Sequence, residues 1–538
     1  MAYTPKHKIR IVTAAALFDG HDAAINIMRR VMQSSGAEVI HLGHDRSVQE
    51  VVDCAIQEDA NAIAITSYQG GHVEYFKYMY DLLQEKGGSH IKLFGGGGGV
   101  ILPSEIDALH AYGITRIYSP DDGRAMGLQG MIDDLIEKAD FPTGQLTDAT
   151  TQFPDQPSAA QLANYISAVE NFPESPHTHA LLQSVTAKQK AIPVLGITGT
   201  GGAGKSSLVD EIVRRFLLDF EHAPKKIGII SVDPSKRKTG GALLGDRIRM
   251  NAIKNSRVYM RSMATRQSNL AVSKYIQDAL SIYKATDFDL IILETSGIGQ
   301  SDTQITDYCD ASLYVMTPEY GAATQLEKID MLDFADLVVI NKFDKRGAMD
   351  ALRDVKKQYQ RNHKRFDEDI DQMPVFGTIA SQFNDPGTNT MYRALMDVIC
   401  RKTKAPLQSS FMSSEEMSEK VFIIPPARVR YLSEISENNR TYSNWVKEQS
   451  AIAQKLFSIQ KTIETLQYEA IEDKDRLIKV LEQTYQNLLL SLDPKNKHIL
   501  ENWTLKKRLF QDEYYVFKVR DKELKIKTHS TSLSHNEI

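Results

Sequence analysis

Gly199-Thr200-Gly201-Gly202-Ala203-Gly204-Lys205-Ser206 is the stretch on which the reading of this chain turns. It follows an apolar run, Val194 to Ile197, that reads as a strand, and it opens a segment that reads as a helix. Gly199, Gly201, Gly202 and Gly204 let the backbone curl so that successive N–H groups face phosphate oxygens. The helix N-terminus adds positive potential. In this context Lys205 reaches the β- and γ-phosphates, Ser206 holds Mg²⁺, and Ser207 stands beside them at the helix start. The pattern therefore predicts a P-loop nucleotide site on a parallel α/β sheet.

Further along, Asn341-Lys342-Phe343-Asp344 follows the apolar run Val338 to Ile340. An aspartate there accepts two hydrogen bonds from the guanine N1–H and exocyclic amine, a donor pair that adenine lacks. Downstream of a phosphate loop this selects GTP and GDP. Thr378 to Ser381, after Val375-Phe376, supplies backbone N–H groups for the guanine oxygen, with Ser381 the candidate contact. Between the two motifs lie Asp233, Asp246 and Glu294; Asp233 and Glu294 end strands, where a metal-bound phosphate would lie and carboxylates act directly or through water. Glu294-Thr295-Ser296-Gly297 stands where many GTPases carry Asp-x-x-Gly, so Gly297 is a candidate γ-phosphate sensor. The Gly-rich run Thr239 to Arg247 reads as a mobile switch.

Apolar runs alternate with helical segments on both sides of residue 150. Strands at Ile11-Val12, Val39-Ile40, Ala62 to Ile65, Ile91 to Phe94 and Ile117 alternate with helices to about Asp140. A second alternating unit runs from about Ile192 to Lys404. The organisation expected is a flavodoxin-like domain over 1–140, a Pro/Thr/Gln/Ser-rich linker over 141–190 with a helix or two between Ser158 and Ser184, a P-loop GTPase domain over 191–405 and a mostly helical tail over 406–538. In the tail, Ile452, Leu456, Ile459, Ile463 and Leu466 form one apolar face of a helix, and Leu477 to Leu492 continue it. That reads as a helical hairpin whose stripe is covered by a partner or a second protomer. The chain has 538 residues and a net charge of -5, without a basic excess for nucleic acid. No apolar stretch spans a bilayer, no signal peptide opens the chain, and the 3 cysteines are far apart. A cytoplasmic protein is expected.

Asp19-Gly20-His21-Asp22 falls just after the first strand of the first unit. Asp19 is placed to accept from one imidazole nitrogen of His21 while the other ligates a metal. Ser67 to His72 follows the third strand, and Gly95 to Gly99 follows the fourth, where backbone without side chains admits a long, thin ligand group against the sheet.

This set resembles the Asp-x-His-x-x-Gly, Ser-x-Leu and Gly-Gly signature of base-off cobalamin-binding domains, with Ala24 and Gln69 as departures. The resemblance implies that His21 replaces the cofactor's benzimidazole beneath cobalt, with Asp19 as its partner. Ser67 would contact the buried nucleotide tail, and Gly96 and Gly97 would line its channel. Ser231 to Pro234, Thr239 to Met250 and Glu294 to Ser301 resemble the GTPase chaperones of cobalamin-dependent acyl-CoA mutases, which implies that Lys205, Ser206, Asp233, Asp246 and Glu294 surround the triphosphate and Mg²⁺ and carry catalysis. Both signatures in this order resemble the fused isobutyryl-CoA mutases, in which a cobalamin domain, a GTPase and a substrate barrel follow one another. Val519 to Ile538 looks like the opening of the family's mutase portion, and the barrel itself, about 250 residues, does not follow.

The resemblance implies an adenosylcobalamin-binding, GTP-hydrolysing portion of a radical acyl-CoA mutase of the isobutyryl-CoA/butyryl-CoA type. The GTPase would serve cofactor loading and protection. The barrel would be supplied in cis or by a separate subunit, the assembly would be a homodimer, and an adenosyltransferase would donate the cofactor. The alternatives are a stand-alone GTP-driven cobalamin delivery module and a corrinoid-responsive regulator. With the two sites on separate sheets, each is expected to work without the other.

Overall fold

In the computed structural model the chain forms two compact units, Met1–Val421 and Phe422–Ile538. The structure describes all residues except 1–2, 267–274, 296, 298–301, 322–325, 413–416, 421–429, 520–521 and 531–538. Parts of two sequence motifs, Ser296 with Ile298 to Ser301 and the last residues from 531, thus lie outside the described residues.

The first unit is built on two parallel sheets. One takes β1 (Arg10–Ala15), β2 (Glu38–His41), β3 (Ala62–Thr66), β4 (Lys92–Gly96) and β5 (Arg116–Tyr118) in the order β5-β4-β3-β1-β2, the flavodoxin-like arrangement. Helices α1 (Ala23–Ser34), α2 (Val48–Gln57), α3 (His72–Glu85), α4 (Pro103–Tyr112) and α5 (Pro120–Ala139) connect the strands and cover the faces. Local chemistry sets their starts: at α2, Ser47 and Glu50 exchange side-chain and backbone bonds as a capping box. β1, β2 and β3 are buried along their whole length, as a sheet covered on both faces requires.

Residues 141–190, expected to be a linker, carry α6 (Ala159–Asn171) and α7 (Pro176–Thr186). Their Leu162, Tyr165, Ile166, Val169, Leu181 and Val185 belong to the same buried core as the second sheet. The polar composition reflects the exposed faces of these helices, and the stretch is a packed layer of the fold. The second sheet takes β6 (Val194–Gly199), β7 (Ile227–Asp233), β9 (Val258–Ala264), β10 (Leu290–Glu294), β11 (Ala311–Met316), β12 (Leu337–Asn341) and β13 (Val375–Thr378) in the order β13-β12-β11-β6-β10-β7-β9. Helices α8 (Lys205–Asp219), α9 (Ile276–Lys284), α10 (Ala348–Asn362) and α11 (Pro386–Thr403) accompany it.

The remaining strand, β8 (Ala242–Leu244), lies in the Gly-rich run read as a mobile switch, and it is the sixth strand of the first sheet, parallel to β2. The two sheets are therefore not independent bodies. A buried charge cluster joins them as well. Arg10 on β1 donates to Glu38 at 2.8 Å and to Glu58 at 3.2 Å, while Arg247 donates to Glu58 at 2.7 Å. Arg266 bonds Glu38 and Arg261 bonds Glu170 of α6, each at 2.8 Å. Burial alone would raise the carboxyls of Glu38 and Glu58. The guanidiniums of Arg266 and Arg10 at Glu38, and of Arg247 and Arg10 at Glu58, outweigh it and hold both below the usual carboxylate range.

A depressed folded-state pKa contributes stability that is present above the ordinary carboxylate range and is lost as pH falls through the folded value. Glu58→Gln keeps an acceptor but leaves Arg10 and Arg247 short of a charge. The expected loss is about 2 kcal/mol, below the roughly 3–5 kcal/mol that follows removal of a buried partner. Urea denaturation at pH 7 and pH 4 measures it, and the difference between variant and parent should shrink at the lower pH.

The second unit is helical: α12 (Tyr431–Tyr468), α13 (Lys474–Leu489), α14 (Pro494–Glu501) and α15 (Trp503–Gln511), followed by the antiparallel pair β14 (Tyr514–Val519) and β15 (Lys522–Lys527). Helices α12 and α13 pack on each other as a hairpin. Leu456 is buried, while Trp445, Phe457, Leu477 and Val480 are exposed. No described helix is long and apolar enough to cross a membrane.

Candidate functional site

The P-loop is positioned by β6 and α8. Gly199 ends the strand at φ +148°, and a Cβ on it would overlap the Val315 carbonyl of neighbouring β11. Gly202 and Gly204 have φ of +74° and +87°, in the left-handed region. Gly201 is open on its Cβ side, Ser207 is half-buried, and Gly204 leads directly into α8. Lys205 is buried and its Nζ donates to Gly199 O at 3.1 Å and Thr200 O at 3.4 Å. Gly297, at φ +67°, stands over the same place: a Cβ there would overlap Gly199 O.

Ser206 is buried, and its single hydroxyl proton faces two carboxylates, Asp246 Oδ1 at 2.8 Å and Glu294 Oε1 at 2.9 Å. Asp246 also takes the Ser231 hydroxyl and the Arg249 guanidinium, and Asp233 Oδ2 accepts the Gly245 N–H at 3.2 Å. Burial, and then the neighbouring Asp246, push the Asp233 carboxyl up to about 8 and Glu294 well above its usual range. Glu294 Oε2 is buried without a hydrogen-bond partner. Crowded carboxyls with an orphaned oxygen fit a cation. Among the described residues no three His, Cys, Asp or Glu side chains form a preformed metal cage.

Asn341 joins the two motifs physically. At the end of β12 its Nδ2 donates to Ala203 O of the P-loop at 2.8 Å, and its Oδ1 accepts the Ala380 N–H at 3.1 Å. Lys342, at φ +59°, donates to Gly202 O at 2.8 Å. Asp344 is partly exposed, with Lys420 Nζ 3.4 Å from its Oδ2. The Ile379 and Ala380 N–H groups are committed to Asp385 and Asn341, so of the Thr378 to Ser381 segment it is exposed Ser381 that follows them toward solvent. A cleft of about 500 Å³ lies alongside, lined by Gly201, Gly202, Thr317, Glu319, Tyr320, Lys342 and Lys345. Its wall of Thr317 to Tyr320 carries no motif and was not legible in the sequence.

On the first sheet, Asp19 is fully buried just beyond β1. Its Oδ1 accepts the His21 N–H at 2.9 Å and faces His21 Nδ1 at 2.8 Å, while Oδ2 accepts the Tyr68 N–H at 2.6 Å. Burial opposes the charge, but the Tyr68 and His21 backbone bonds and the imidazole outweigh it and hold the carboxyl below its ordinary range. An ionised Asp19 places the ring proton on Nδ1 and leaves Nε2 with its lone pair. The His21 side chain is 68% exposed, so that nitrogen is open to a ligand.

Beside this dyad a cavity of about 210 Å³ opens at the carboxyl ends of β3, β4 and β5, between α1 and α5. Gly95 to Gly98 line it. A Cβ at Gly97 would overlap the Ser67 carbonyl, and one at Gly95 would overlap the Phe76 ring. Ser67 is not among the lining residues; its neighbours Thr66 and Tyr68 are. Thr66 Oγ1 is buried there without a partner, a polar atom that a ligand in the cavity would satisfy. Tyr68 also sets its ring 5.6 Å from that of His21. The sequence signal for Thr66 was only its place at the strand end.

The description "B12 binding domain" matches residues 9–118, and "Methylmalonyl Co-A mutase-associated GTPase MeaB" matches residues 162–410. The second match begins inside α6, in keeping with that helix's place in the GTPase core. A fused isobutyryl-CoA mutase of Geobacillus kaustophilus is 54% identical, covering 100% of this chain and 50% of its own length. Those of Cupriavidus metallidurans and Nocardia farcinica are 50% and 45% identical, covering 99% and 100% of this chain and 48% and 49% of their own lengths. The chain spans about half the length of the curated relatives it matches. With a cobalamin-binding domain and a P-loop GTPase domain in the same order as these relatives, the chain belongs to the fused isobutyryl-CoA mutase family.

Proposed function

We propose that this chain is the portion of a radical acyl-CoA mutase, of the isobutyryl-CoA/butyryl-CoA type, that holds adenosylcobalamin and hydrolyses GTP in support of cofactor loading and protection. The observation that carries the reading is the Asp19–His21 pair, with Nε2 open beside a glycine-lined cavity, on the same unit as a P-loop joined by Asn341 to its base-reading segment. His21 would hold cobalt through Nε2 and Asp19 would fix its tautomer, while Thr66, Gly96 and Gly97 would line the cavity that takes the tail, with the Ser67 carbonyl packed against Gly97. When bound, adenosylcobalamin supplies a carbon radical that starts the skeletal rearrangement. The acyl-CoA site belongs to a mutase barrel, in cis or on a separate subunit.

Ser206 with phosphate oxygens would hold Mg²⁺, and Asp233, Asp246 and Glu294 would take it directly or through water. Lys205 and the P-loop N–H groups orient the triphosphate and offset charge that develops on it during hydrolysis. Asp344 reads guanine and Gly297 meets the γ-phosphate. The test is titration of one sample with adenosylcobalamin, followed by its visible spectrum, and with GTP and Mg²⁺, followed by phosphate release. A protein that takes up neither, or that hydrolyses ATP as well as GTP, would overturn the reading.

Base choice has its own measurement. Asp344→Asn replaces an acceptor pair by an amide that also donates, against the two donors of guanine. GTP affinity is expected to fall by about 1–3 kcal/mol. Calorimetric titration of variant and parent checks it, and equal affinities would remove Asp344 from the base site.

A further inference from the structure

Arg249 stands at the nucleotide site with a fixed root and a free head. It closes a single 3₁₀ turn, Arg247–Arg249, that starts directly after Asp246. The residues on either side of it are anchored. Arg247 is buried, and its Nε donates to Glu58 Oε1 at 2.7 Å. Met250 is buried in the core that includes Leu208 and Ile212 of α8. Two residues further on, the Ala252 N–H donates to Asp210 Oδ1 of the same helix at 2.7 Å. The backbone at Arg249 is thereby tied to the helix that begins with Lys205 and Ser206.

The side chain is not tied in this way. It is 53% exposed, against 8% for that of Asp246. Its Nη2 donates to the Asp246 carboxylate and to Ser206 Oγ, the latter at 3.3 Å. An ion pair this exposed holds weakly against water, so the guanidinium exchanges partners at little cost. Ser206 lies in the first turn of α8, whose N-terminus faces the phosphate site, and the Arg249 head therefore lies at the entrance to that site. Lys205 Nζ approaches from the P-loop side, held by Gly199 O and Thr200 O.

We propose that Arg249 is a catalytic residue of GTP hydrolysis, its guanidinium moving from Asp246 and Ser206 onto the γ-phosphoryl oxygens as charge develops there. This rests on the nucleotide site assigned above. Asp246 and Ser206 cannot keep the guanidinium while they serve Mg²⁺, because both uses need the same oxygens. Arg249 is thus freed by the event that brings the triphosphate. In the reaction the oxygen of water bonds to the γ-phosphorus, and the bond from that phosphorus to the bridging oxygen breaks. Its electron pair stays on the β-phosphate of GDP. One proton of the water remains on inorganic phosphate and the other passes to solvent. Charge shifts among the bridging and γ-oxygens during this step, and a planar fork of N–H donors meets two of them at once. Lysine offers a point charge without the fork.

The test separates the transition state from the ground state. On the full chain with Mg²⁺, Arg249→Ala is expected to slow hydrolysis at saturating GTP by at least about 100-fold. Affinity for a non-hydrolysable GTP analogue should stay within about threefold of the parent. Affinity for aluminium fluoride in the presence of GDP, which imitates the transferring phosphoryl group, should fall by more than about tenfold. Arg249→Lys, which keeps the charge, should remain at least about tenfold slower than the parent, and it carries the test if Arg249→Ala fails to fold, as judged by circular dichroism. Mg²⁺ affinity of the analogue complex should hold or rise in Arg249→Ala, because the guanidinium no longer competes for Asp246. A residue that merely steadied Asp246 would lower it instead, together with analogue affinity, and that result overturns the inference. Hydrolysis by Arg249→Ala at the parent's rate overturns it too, and leaves the functional reading intact. A parent that neither binds the analogue nor hydrolyses GTP overturns the functional reading, and this inference with it.

Discussion

Replacing His21 by alanine is expected to lower adenosylcobalamin affinity by more than about 100-fold. The comparison that sets this magnitude is Asp19→Ala. Loss of a group that only orients a metal-ligating histidine costs roughly 10- to 100-fold. Loss of the ligand itself exceeds that, because Asp22, the next side chain along, offers no nitrogen. Asp19 carries more than the tautomer: its Oδ2 also accepts the Tyr68 N–H, so Asp19→Ala loosens the wall of the tail cavity as well. The decisive signature is electron paramagnetic resonance of the bound Co(II) state in protein grown with ¹⁵N-histidine. Ligation by His21 changes the axial nitrogen coupling with the label. A coupling indifferent to the label would leave the benzimidazole on cobalt and remove His21 from the site.

Lys205→Ala is expected to reduce GTP hydrolysis by about 10³-fold, the upper range for removing one preorganised charge from a transferring phosphoryl group. The buried Nζ is held by Gly199 O and Thr200 O, beside Gly297, at the loop that would receive the phosphates. Alanine loses that charge and keeps the glycine backbone. Cobalamin binding without nucleotide should stay within about twofold of the parent, since the Lys205 ammonium sits at the P-loop on the second sheet. Phosphate release and cobalamin titration on the same sample check both halves. Joint loss would mean that the substitution unfolds the first unit, and retained hydrolysis would remove Lys205 from the phosphate site.

The parts legible in the sequence were those with strong local chemistry. The P-loop, Asn341 to Asp344 and the alternation of buried strands with amphipathic helices each announce themselves within a few residues. What was not legible depends on partners far apart in the chain. Ala242-Leu243-Leu244 is a three-residue apolar run between Gly240-Gly241 and Gly245, and nothing local says that its neighbour is Glu38 to Ile40. Arg10, Arg247, Arg261 and Arg266 look like surface charges until Glu38, Glu58 and Glu170 are found facing them. Residues 159–186 looked like a connector because their exposed faces are polar, although the opposite faces fill the core beneath β6 and β10. Thr66 is an ordinary strand residue by sequence, and its buried hydroxyl acquires meaning only from the cavity beside it.

The seating of β8 beside β2 bears on any attempt to divide the polypeptide. Cut after residue 140, the N-terminal piece would carry β2 as a bare outer strand, fully buried in the intact chain, with the Ala37 carbonyl stripped of its donor. Unpaired, flat and apolar rims of this kind recruit strands from other molecules. Glu38 and Glu58 would at the same time lose Arg266 and Arg247. Such a fragment is set up to aggregate, and a severed version that stays in solution will need β8 grafted back or charges planted along that rim.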